Sequence, residues 1–449
     1  MRSTPADRFI NRVGALVGDS KSQGVLLTIM VLIALVWANS PYADAYFHLL
    51  EQDFTIGLED YALTESLHKW INDGLMALFF FLVGLEIKRE FISGELSTWR
   101  KAAVPVIAAL GGMVVPIVFF LLFNYGTEAS AAWGIPMATD IAFTLSLVAI
   151  LGTLVHNNLK VFLTALATVD DIGAILVIAF FLTPQVDLGA LIAGFIYLGI
   201  MTGANLLGVR NMWFYIIVGV LGLWVALLLS GIHATLAGVL GALTIPARRK
   251  VTEREYQEKL RQWTRDFDNE STNEYALLTE NQDQIIQQVV LASKRASTPL
   301  QRVERKLSPL VSYFIIPLFA FANAGVRIEG DFLSMLFHPL SLGIVVGLLA
   351  GKLIGVFAFS KVAVWAQLGR LPEQTSWSGI AGAGMMAGIG FTMSLFIAEL
   401  ALDDERLLQI AKIGILAASF LAIVLGALWF VFRNRNVEVS VDEVSVAKE

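Results

Sequence analysis

Two adjacent aspartates, Asp170 and Asp171, lie inside an apolar segment that runs from Leu163 to Phe181. An ionised carboxylate at the centre of a bilayer costs about 3 kcal/mol on insertion scales, so it is retained where it faces protein or water and has a role. Carboxylate oxygens bind protons, and they are also the ligands that hard cations prefer. The aspartate pair therefore predicts an ion or proton site within a membrane.

The two aspartates are not expected to have the same role. Consecutive residues on an α-helix point about 100° apart, so both carboxylates cannot face one ion with equal geometry. Two further charged residues lie in apolar segments: Asp140 in WGIPMATDIAFTLSLV and Lys352 in LLAGKLIGVF. Both are candidates to complete a buried site with the aspartate pair.

The elements that must position these residues are membrane helices. Of the 449 residues, 56% are hydrophobic and only 16% are charged. A helix of about 20 apolar residues crosses a bilayer. We expect about twelve spans, which begin near Gly24, Lys69, Ala103, Trp133, Leu159, Leu188, Trp213, His233, Pro309, Pro339, Ser378 and Leu408. The predicted fold class is thus an all-α polytopic membrane protein.

The distribution of lysine and arginine predicts the orientation in the membrane. Basic residues lie before the first span, after each even-numbered span through the tenth, and after the twelfth, as Arg433 and Arg435. Short cytoplasmic loops carry such an excess of positive charge, so we expect both termini in the cytoplasm and an even number of spans. The first apolar run lacks the features of a cleavable signal peptide. The chain has no cysteine, which excludes disulfides and thiolate metal sites.

These predictions divide the chain into five parts. They are a cytoplasmic N-terminus (1–22), spans one to eight (23–245), a cytoplasmic linker (246–308), spans nine to twelve (309–432) and a cytoplasmic tail (433–449). Within the linker, the run YALLTENQDQIIQQVVLASKR has apolar positions that include Ile285, Val289 and Leu291. This spacing favours an amphipathic surface helix within the linker.

Corresponding spans of the two halves contain helix-breaking residues. Span four contains Pro136, and span eleven contains five glycines in SGIAGAGMMAGIGFTMSLF. Interruptions at matching places in two halves indicate inverted repeats with discontinuous helices that cross near the middle of the membrane. Such breaks leave helix dipole ends inside the membrane, and Asp140 and Lys352 carry charges suited to compensate them.

Several sequence strings resemble those of the NhaA sodium/proton antiporters along nearly the whole chain. NhaA is itself a known example of the inverted-repeat pattern, so this resemblance and the pattern are not independent. The strings are WINDGLMALFFFLVGLEIKREF (Trp70 to Phe91), VPVIAALGGMVVP (Val104 to Pro116), ATDIAF (Ala138 to Phe143), ALATVDDIGAI (Ala165 to Ile175), SGIHATLAGV (Ser230 to Val239), PLFAFANAGV (Pro317 to Val326) and GIGFTMSLFIA (Gly388 to Ala398).

The resemblance implies a role for each candidate residue. Asp171 corresponds to the principal sodium-binding carboxylate, and Asp170 to its neighbour, which pairs with the lysine Lys352. Thr139 and Asp140 correspond to residues at the unwound crossing. The residues that the resemblance links to a pH response at the cytoplasmic mouth are Glu86, Lys88, Arg89 and Glu90. Glu304, at the start of span nine, is a further candidate.

The resemblance also implies an activity. It implies electrogenic exchange of sodium or lithium for protons by alternating access, at a site formed by spans four, five, ten and eleven. It further implies a location in the lipid of a bacterial inner membrane and a homodimer joined through a hairpin at Phe54 to Leu63. No cofactor, enzymatic reaction or nucleic-acid partner is expected.

Other interpretations stay open at the level of sequence. The main alternative is a sodium-coupled symporter of an organic anion on a related inverted-repeat fold; a sensor or channel is a third. The residues from Glu86 to Glu90 also fit an ordinary positive loop, and His233 fits a packed polar contact. The chain has Glu304, Arg305 and Ser308 where enterobacterial NhaA proteins place histidines after a glutamate, so the pH profile stays open.

Overall fold

The computed structural model describes residues 20–57, 63–182, 187–270, 277–328 and 332–446. Almost all regular structure in these ranges is helical. In chain order the helices are α1 (Ser20–Ala38), α2 (Ala43–Glu51), α3 (Leu67–Ser93), α4 (Trp99–Asn124), α5 (Ile141–Leu151), α6 (Asn157–Phe181), α7 (Leu188–Leu206), α8 (Met212–Leu229), α9 (Leu236–Thr244), α10 (Glu253–Asn269), α11 (Glu280–Ala296), α12 (Pro299–Ala324), α13 (Phe332–Leu336), α14 (Pro339–Trp365), α15 (Trp377–Ala387), α16 (Phe391–Ala401) and α17 (Glu405–Val446). A 3₁₀ segment, Glu128–Met137, precedes α5.

Eleven segments of the described chain are long and apolar enough to cross a membrane. Nine are continuous helices, and two are bent pairs, which bend by 40° before α5 and by 45° between α15 and α16. The breaks fall in predicted spans four and eleven. Proline in the first pair and glycine in the second therefore interrupt the helices as the sequence predicts. The all-α membrane architecture is confirmed.

The eighth predicted span, which begins near His233, differs from the others. Its helix α9 has only nine residues, about 14 Å, against a hydrocarbon core of about 30 Å. At one end, Ser230 O accepts a hydrogen bond from Asp187 N (2.9 Å) in the α6–α7 connection. At the other end, Lys88 Nζ donates to Ile245 O (2.6 Å). The chain thus passes from one end of the bundle to the other through a turn and a short helix.

A two-stranded sheet lies at one end of the bundle. Strands β1 (Asp53–Ile56) and β2 (Leu63–Ser66) pair antiparallel, with Phe54 opposite Glu65. The hydroxyls of Thr55 and Thr64 lie 2.8 Å apart across the strands. The paired strands of the predicted hairpin are present, and its tip at residues 58–62 lies outside the described residues. We call this end of the bundle the hairpin end and the opposite end, where Lys88 lies, the linker end.

The linker contains two helices where the sequence predicted one. The predicted helix is α11, with Ile285 and Val289 half-buried, but Leu291 is 52% exposed and does not share their face. The helix that the prediction missed, α10, packs against α11, and Tyr256 Oη lies 2.9 Å from Ser293 Oγ. Hydrogen bonds from the main chain and hydroxyl of Thr252 lower the pKa of Glu255 at the start of α10.

The boundaries of the linker and of the C-terminal tail in the structure differ from the predicted ones. Helix α12 begins at Pro299, nine residues before the predicted end of the linker at residue 308, with Thr298 as its N-cap. Residues 1–19 of the predicted N-terminus lie outside the described residues. At the other terminus, the backbone of α17 continues as a helix through the predicted tail to Val446.

Close packing of α4 against α14 positions the buried lysine. Gly111 and Gly355 face each other so closely that a Cβ on Gly355 would collide with the Gly111 carbonyl group. The next residue, Gly112, lies below the Lys352 side chain, and a Cβ there would be 3.8 Å from Lys352 Nζ. Small residues allow such close approach of membrane helices. The lysine is therefore held inside the bundle, on the face that meets α6.

Candidate ion-binding site at the helix crossing

The two helix breaks meet at the centre of the bundle. Residues 138–140 are extended between the 3₁₀ segment and α5, and residues 388–390 separate α15 from α16. Asp140 N donates to Ile389 O at 2.7 Å, so a main-chain hydrogen bond joins the two breaks directly. We call this place the crossing.

Asp140 caps two helices at once. Its Oδ1 accepts a hydrogen bond from Phe143 N (2.9 Å) in the first turn of α5. Its Oδ2 accepts from Thr392 N (3.0 Å) and Thr392 Oγ1 (2.5 Å) in the first turn of α16. A carboxylate at a helix N-terminus satisfies free N–H groups and interacts favourably with the helix dipole. One buried charge therefore compensates two helix ends, as the sequence predicted for this residue.

Hydroxyl groups satisfy the carbonyl oxygens that the breaks leave free. Thr139 Oγ1 lies 2.8 Å from Ala387 O, and Thr144 Oγ1 donates to Met386 O at 3.3 Å. In the opposite direction, Ser394 Oγ donates to Ile135 O at 2.9 Å. In hydrocarbon each backbone polar group needs a partner within the protein. The two broken segments therefore satisfy each other.

Asp170 and Lys352 form a buried ion pair beside the crossing. Lys352 Nζ donates to Asp170 Oδ2 at 2.5 Å, and both side chains are fully buried. Thr139 Oγ1 lies 2.7 Å from the same carboxylate oxygen. Because a hydroxyl has one hydrogen, Thr139 can donate to Asp170 or to Ala387, but not to both. The other oxygen, Asp170 Oδ1, is buried without a hydrogen-bond partner among the described residues.

Asp171 is placed differently from its neighbour. It is 2% exposed, and among the described residues no hydrogen bond to its carboxylate is present. It lies within electrostatic range of Asp170, Asp140 and Glu86. The adjacent aspartates thus differ in their contacts, as the 100° rotation predicts: Asp170 is paired with a lysine, while Asp171 has no hydrogen-bond partner among the described residues. Such a group is suited to bind a proton or a hard cation.

Four of the five pH-response candidates meet at the linker end. The guanidinium of Arg89 on α3 pairs with Glu304 on α12 and lies 3.4 Å from Glu90. Glu86, one turn earlier, faces the same group of charges. Lys88 is separate from them, because its Nζ donates to Leu243 O and Ile245 O at the end of α9. The structure therefore gives Lys88 a helix-capping contact.

The packed polar contact predicted for His233 is present. His233 Nε2 lies 2.9 Å from Leu182 O, in the connection after α6.

Sequence reasoning did not single out Thr392, although it lies in the string GIGFTMSLFIA and provides half of the capping at Asp140. Nor did it single out Glu399 and Lys412, which lie in apolar surroundings and form an ion pair of 2.7 Å. Glu399 and Lys412 could have been found from the sequence, because each is a charged residue inside an apolar run.

An all-helical bundle with two broken segments that cross beside a buried acid–lysine pair defines the class of secondary membrane transporters with discontinuous helices. Within that class, the chain belongs to the Na+/H+ antiporter 1 family, whose family model matches residues 15–430.

Similar proteins from several bacteria match over nearly their whole length. A Na(+)/H(+) antiporter NhaA of Oleidesulfovibrio alaskensis is 47% identical over 419 residues, which are 93% of each chain. The NhaA of Koribacter versatilis is 46% identical over 411 residues, 91% of this chain and 89% of the relative. The NhaA of Sulfurimonas denitrificans is 41% identical over 438 residues, 97% of each chain. These relatives are named as transporters.

Proposed function

We propose that this protein exchanges sodium or lithium ions for protons across a bacterial inner membrane, with Asp171 as the principal ion-binding residue. Family membership supports the exchange reaction, since the matched relatives are named as Na+/H+ antiporters. The assignment of the site rests on Asp171, which lies beside the crossing. Its carboxylate is buried and has no hydrogen-bond partner among the described residues.

The proposed chemistry is competition for carboxylate oxygens. When protons are scarce, Asp171 is ionised and a sodium ion binds to it, with Asp170 Oδ1 and Thr139 Oγ1 as further oxygen ligands close by. When protons are abundant, Asp171 is protonated and the ion leaves. Sodium and protons then bind in turn to the same oxygens, which makes transport of one depend on transport of the other.

The ion pair of Asp170 with Lys352 accounts for an electrogenic reaction. A cation that binds near Asp170 Oδ1 competes electrostatically with the ammonium group 2.5 Å from Oδ2. Once separated from its carboxylate, a buried lysine can release a proton of its own. Two protons, one from Asp171 and one from Lys352, then move against one sodium ion, and each cycle transfers net charge.

The crossing is the element that we expect to move between the two access states. Its two segments are joined by hydrogen bonds between residues 135–140 and 386–394, so they move together rather than separately. Transporters of this class alternate access by movement of one part of the bundle against the other around a fixed site. The acidic and basic side chains of α3 and α12 at the linker end lie where such a movement would be controlled by pH.

Orientation and assembly belong to the same proposal. We place the linker end in the cytoplasm, since Lys88, Arg89 and the Arg210 contact with Arg248 O (2.9 Å) are all there. The hairpin end then faces the periplasm, both termini are cytoplasmic, and two copies associate in the lipid bilayer through the hairpin. No cofactor and no nucleic-acid partner are part of the mechanism.

The alternative, a sodium-coupled symporter of an organic anion, receives no support. The relatives reported above are named as antiporters. The crossing also presents a carboxylate pair and a lysine, which suits exchange of cations against protons.

The exchange is tested in proteoliposomes that contain a pH-sensitive dye. Sodium or lithium added outside vesicles of the wild-type protein should collapse an imposed pH gradient, and Asp171→Asn should abolish this response at every pH. A matched control is Asp403→Asn, because Asp403 is an exposed aspartate in the loop before α17. Full activity of the Asp171 variant would refute the proposed site, and no cation response from the wild type would refute the exchange itself.

A further inference from the structure

A second buried group of polar and charged residues lies at the hairpin end, away from the crossing. It comprises His68 and Asn72 on α3, Asn323 on α12, Glu399 on α16 and Lys412 on α17. Four helices therefore contribute to one cluster, which we call the outer cluster. The exchange mechanism proposed above uses none of these residues.

An ion pair forms the inner part of the outer cluster. Lys412 Nζ lies 2.7 Å from Glu399 Oε1, and the two side chains are only 6% and 13% exposed. The same oxygen forms no well-directed hydrogen bond. His68 Nε2 lies 3.8 Å from it, and the His68 side chain is 30% exposed. The imidazole therefore lies between water and a buried, incompletely satisfied carboxylate.

The neighbouring amides determine which nitrogen of His68 carries hydrogen. Asn323 Nδ2 donates to Asn72 Oδ1 (2.8 Å) and to Phe319 O (3.0 Å). Asn323 Oδ1 is therefore the acceptor that faces His68 Nε2 at 3.1 Å. An imidazole that donates to this acceptor carries its hydrogen on Nε2 and keeps Nδ1 as the basic atom. Asn72 Nδ2 lies 3.4 Å from the same nitrogen and then donates to Asn323 Oδ1 (3.3 Å) instead. A second proton adds to Nδ1 and leaves the existing hydrogen bond intact.

We propose that His68 and Glu399 form a second proton-binding site at the hairpin end, separate from the carboxylates at the crossing. The proton binds to His68, and the charge that it adds is stabilised by Glu399. Binding of this proton does not depend on the exchange activity, whereas its effect on transport rests on the proposed function.

The outer cluster is connected to the crossing by two helices. Glu399 lies seven residues after Thr392 on α16, about 10 Å along the helix, and Thr392 hydrogen-bonds the Asp140 carboxylate. Lys412 lies seven residues before Ser419 on α17, whose Oγ accepts a hydrogen bond from Phe391 N at 3.2 Å. A change in the attraction between His68 and Glu399 therefore acts on the two helices that hold one side of the crossing. Protonation of His68 links α3 more tightly to them.

Three charged groups face His68 from the helices packed around it. They are Glu399 on α16, Lys412 on α17 and Asp73 on its own helix α3. Helix α12 contributes the neutral amide Asn323. Helix α2, which packs on the start of α3, contributes Tyr46, whose hydroxyl donates to Phe321 O at 2.6 Å. Glu399 is the nearest acidic side chain, so it is the group that a test must remove.

Nuclear magnetic resonance of ¹⁵N-histidine-labelled protein in micelles tests proton binding without any transport. The chain has five histidines, and His68→Gln identifies the His68 signals by their loss. We expect neutral His68 to carry its hydrogen on Nε2 and to take up a second proton on Nδ1 as the pH is lowered. Glu399→Gln should weaken proton binding at His68 about tenfold, the effect of removing an opposite charge about 4 Å away. A His68 signal that does not titrate, or one that Glu399→Gln leaves unchanged, would overturn the proposal.

The effect on transport is measured in oriented proteoliposomes with the pH varied only on the hairpin side. The variant His68→Gln keeps a hydrogen-bond donor toward Asn323 but cannot bind the proton, so it should flatten the pH dependence on that side without abolishing exchange. The control is His48→Gln, an exposed histidine on α2 at the same end. A pH profile of the His68 variant equal to that of the control would overturn the link to transport. Loss of exchange in the wild-type protein would instead overturn the proposed function.

Discussion

At the scale of single residues, the difference between two adjacent aspartates defines the site. Asp170 is held by Lys352 and Thr139, whereas Asp171 has no hydrogen-bond partner among the described residues. The sequence predicted both the pair and the difference, because neighbours on a helix point in different directions. Which aspartate would face the lysine depends on how α6 is rotated against α14, and no local sequence signal gives this rotation.

Removal of Lys352 should destabilise the protein strongly. The variant Lys352→Met leaves the Asp170 carboxylate buried without its counter-charge, and loss of one partner of a buried pair costs about 3–5 kcal/mol. The double variant Asp170→Asn with Lys352→Met should recover most of this loss. The free energy of unfolding in mixed micelles measures both effects. Additive losses in the double variant would show that the two residues do not act as a pair.

At the scale of elements, the crossing is stabilised by caps that each broken segment provides for the other. The Asp140 carboxylate receives hydrogen bonds from the first turns of α5 and α16. Hydroxyls of Thr144 and Ser394 satisfy carbonyl oxygens before the two breaks. Interrupted helices are tolerated in a membrane where such partners are present.

The double cap at Asp140 should be worth more than a single cap. We expect Asp140→Ala to lower the free energy of unfolding by about 2–4 kcal/mol, because two helix ends and a threonine hydroxyl lose their acceptor. The control is Asp187→Ala, which removes only the contact of Asp187 Oδ1 with Ala190 N (2.8 Å) at the exposed start of α7 and should cost about 1 kcal/mol. Equal losses in the two variants would contradict the double-cap account.

Local sequence signals predicted the breaks better than the contacts across them. Pro136 and the clustered glycines of span eleven were sufficient to place both breaks, although one such residue does not always interrupt a helix, since Pro105 and Pro116 lie inside the continuous helix α4. The main-chain contact of Asp140 with Ile389 joins residues far apart in sequence, and only the assembled bundle determines it. Helix α10 was missed because its apolar stripe, which includes Leu260 and Trp263, is interrupted by many charges. The sequence grouped Lys88 with the neighbouring charges, but its side chain contacts the end of α9 instead. Adjacent positions in a sequence do not give the directions of the side chains.

At the scale of the whole molecule, the bundle has two chemically different ends. The linker end carries the ionic cluster of α3 and α12 together with the helices α10 and α11. The hairpin end carries the two-stranded sheet and the outer cluster. The proposed ion site lies between them, at the crossing, where alternating access would require it.

The absence of cysteine in the chain allows a direct test of orientation. A single cysteine at Thr55 in β1 should react with a membrane-impermeant maleimide added to intact cells. A single cysteine at Ser93, which is exposed at the linker end, should react only after the membrane is permeabilised. The reverse pattern would contradict cytoplasmic placement of the linker end.

The same two variants test assembly through the hairpin. The edges of a two-stranded sheet have unpaired main-chain groups that can pair with a second copy. An oxidant or a short bifunctional maleimide should therefore cross-link cysteines at position 55 between two copies in native membranes, and much less at position 93. Equal yields at both positions would argue against a dimer joined by the hairpin.

Calorimetric titration of sodium into the purified protein tests the central claim most directly. Titrations in two buffers with different enthalpies of ionisation give the number of protons released for each sodium ion bound. If sodium and protons compete for Asp171, the wild-type protein releases protons as it binds sodium, and Asp171→Asn neither binds sodium nor releases protons. Sodium binding without proton release, or binding unchanged in the Asp171 variant, would contradict the account.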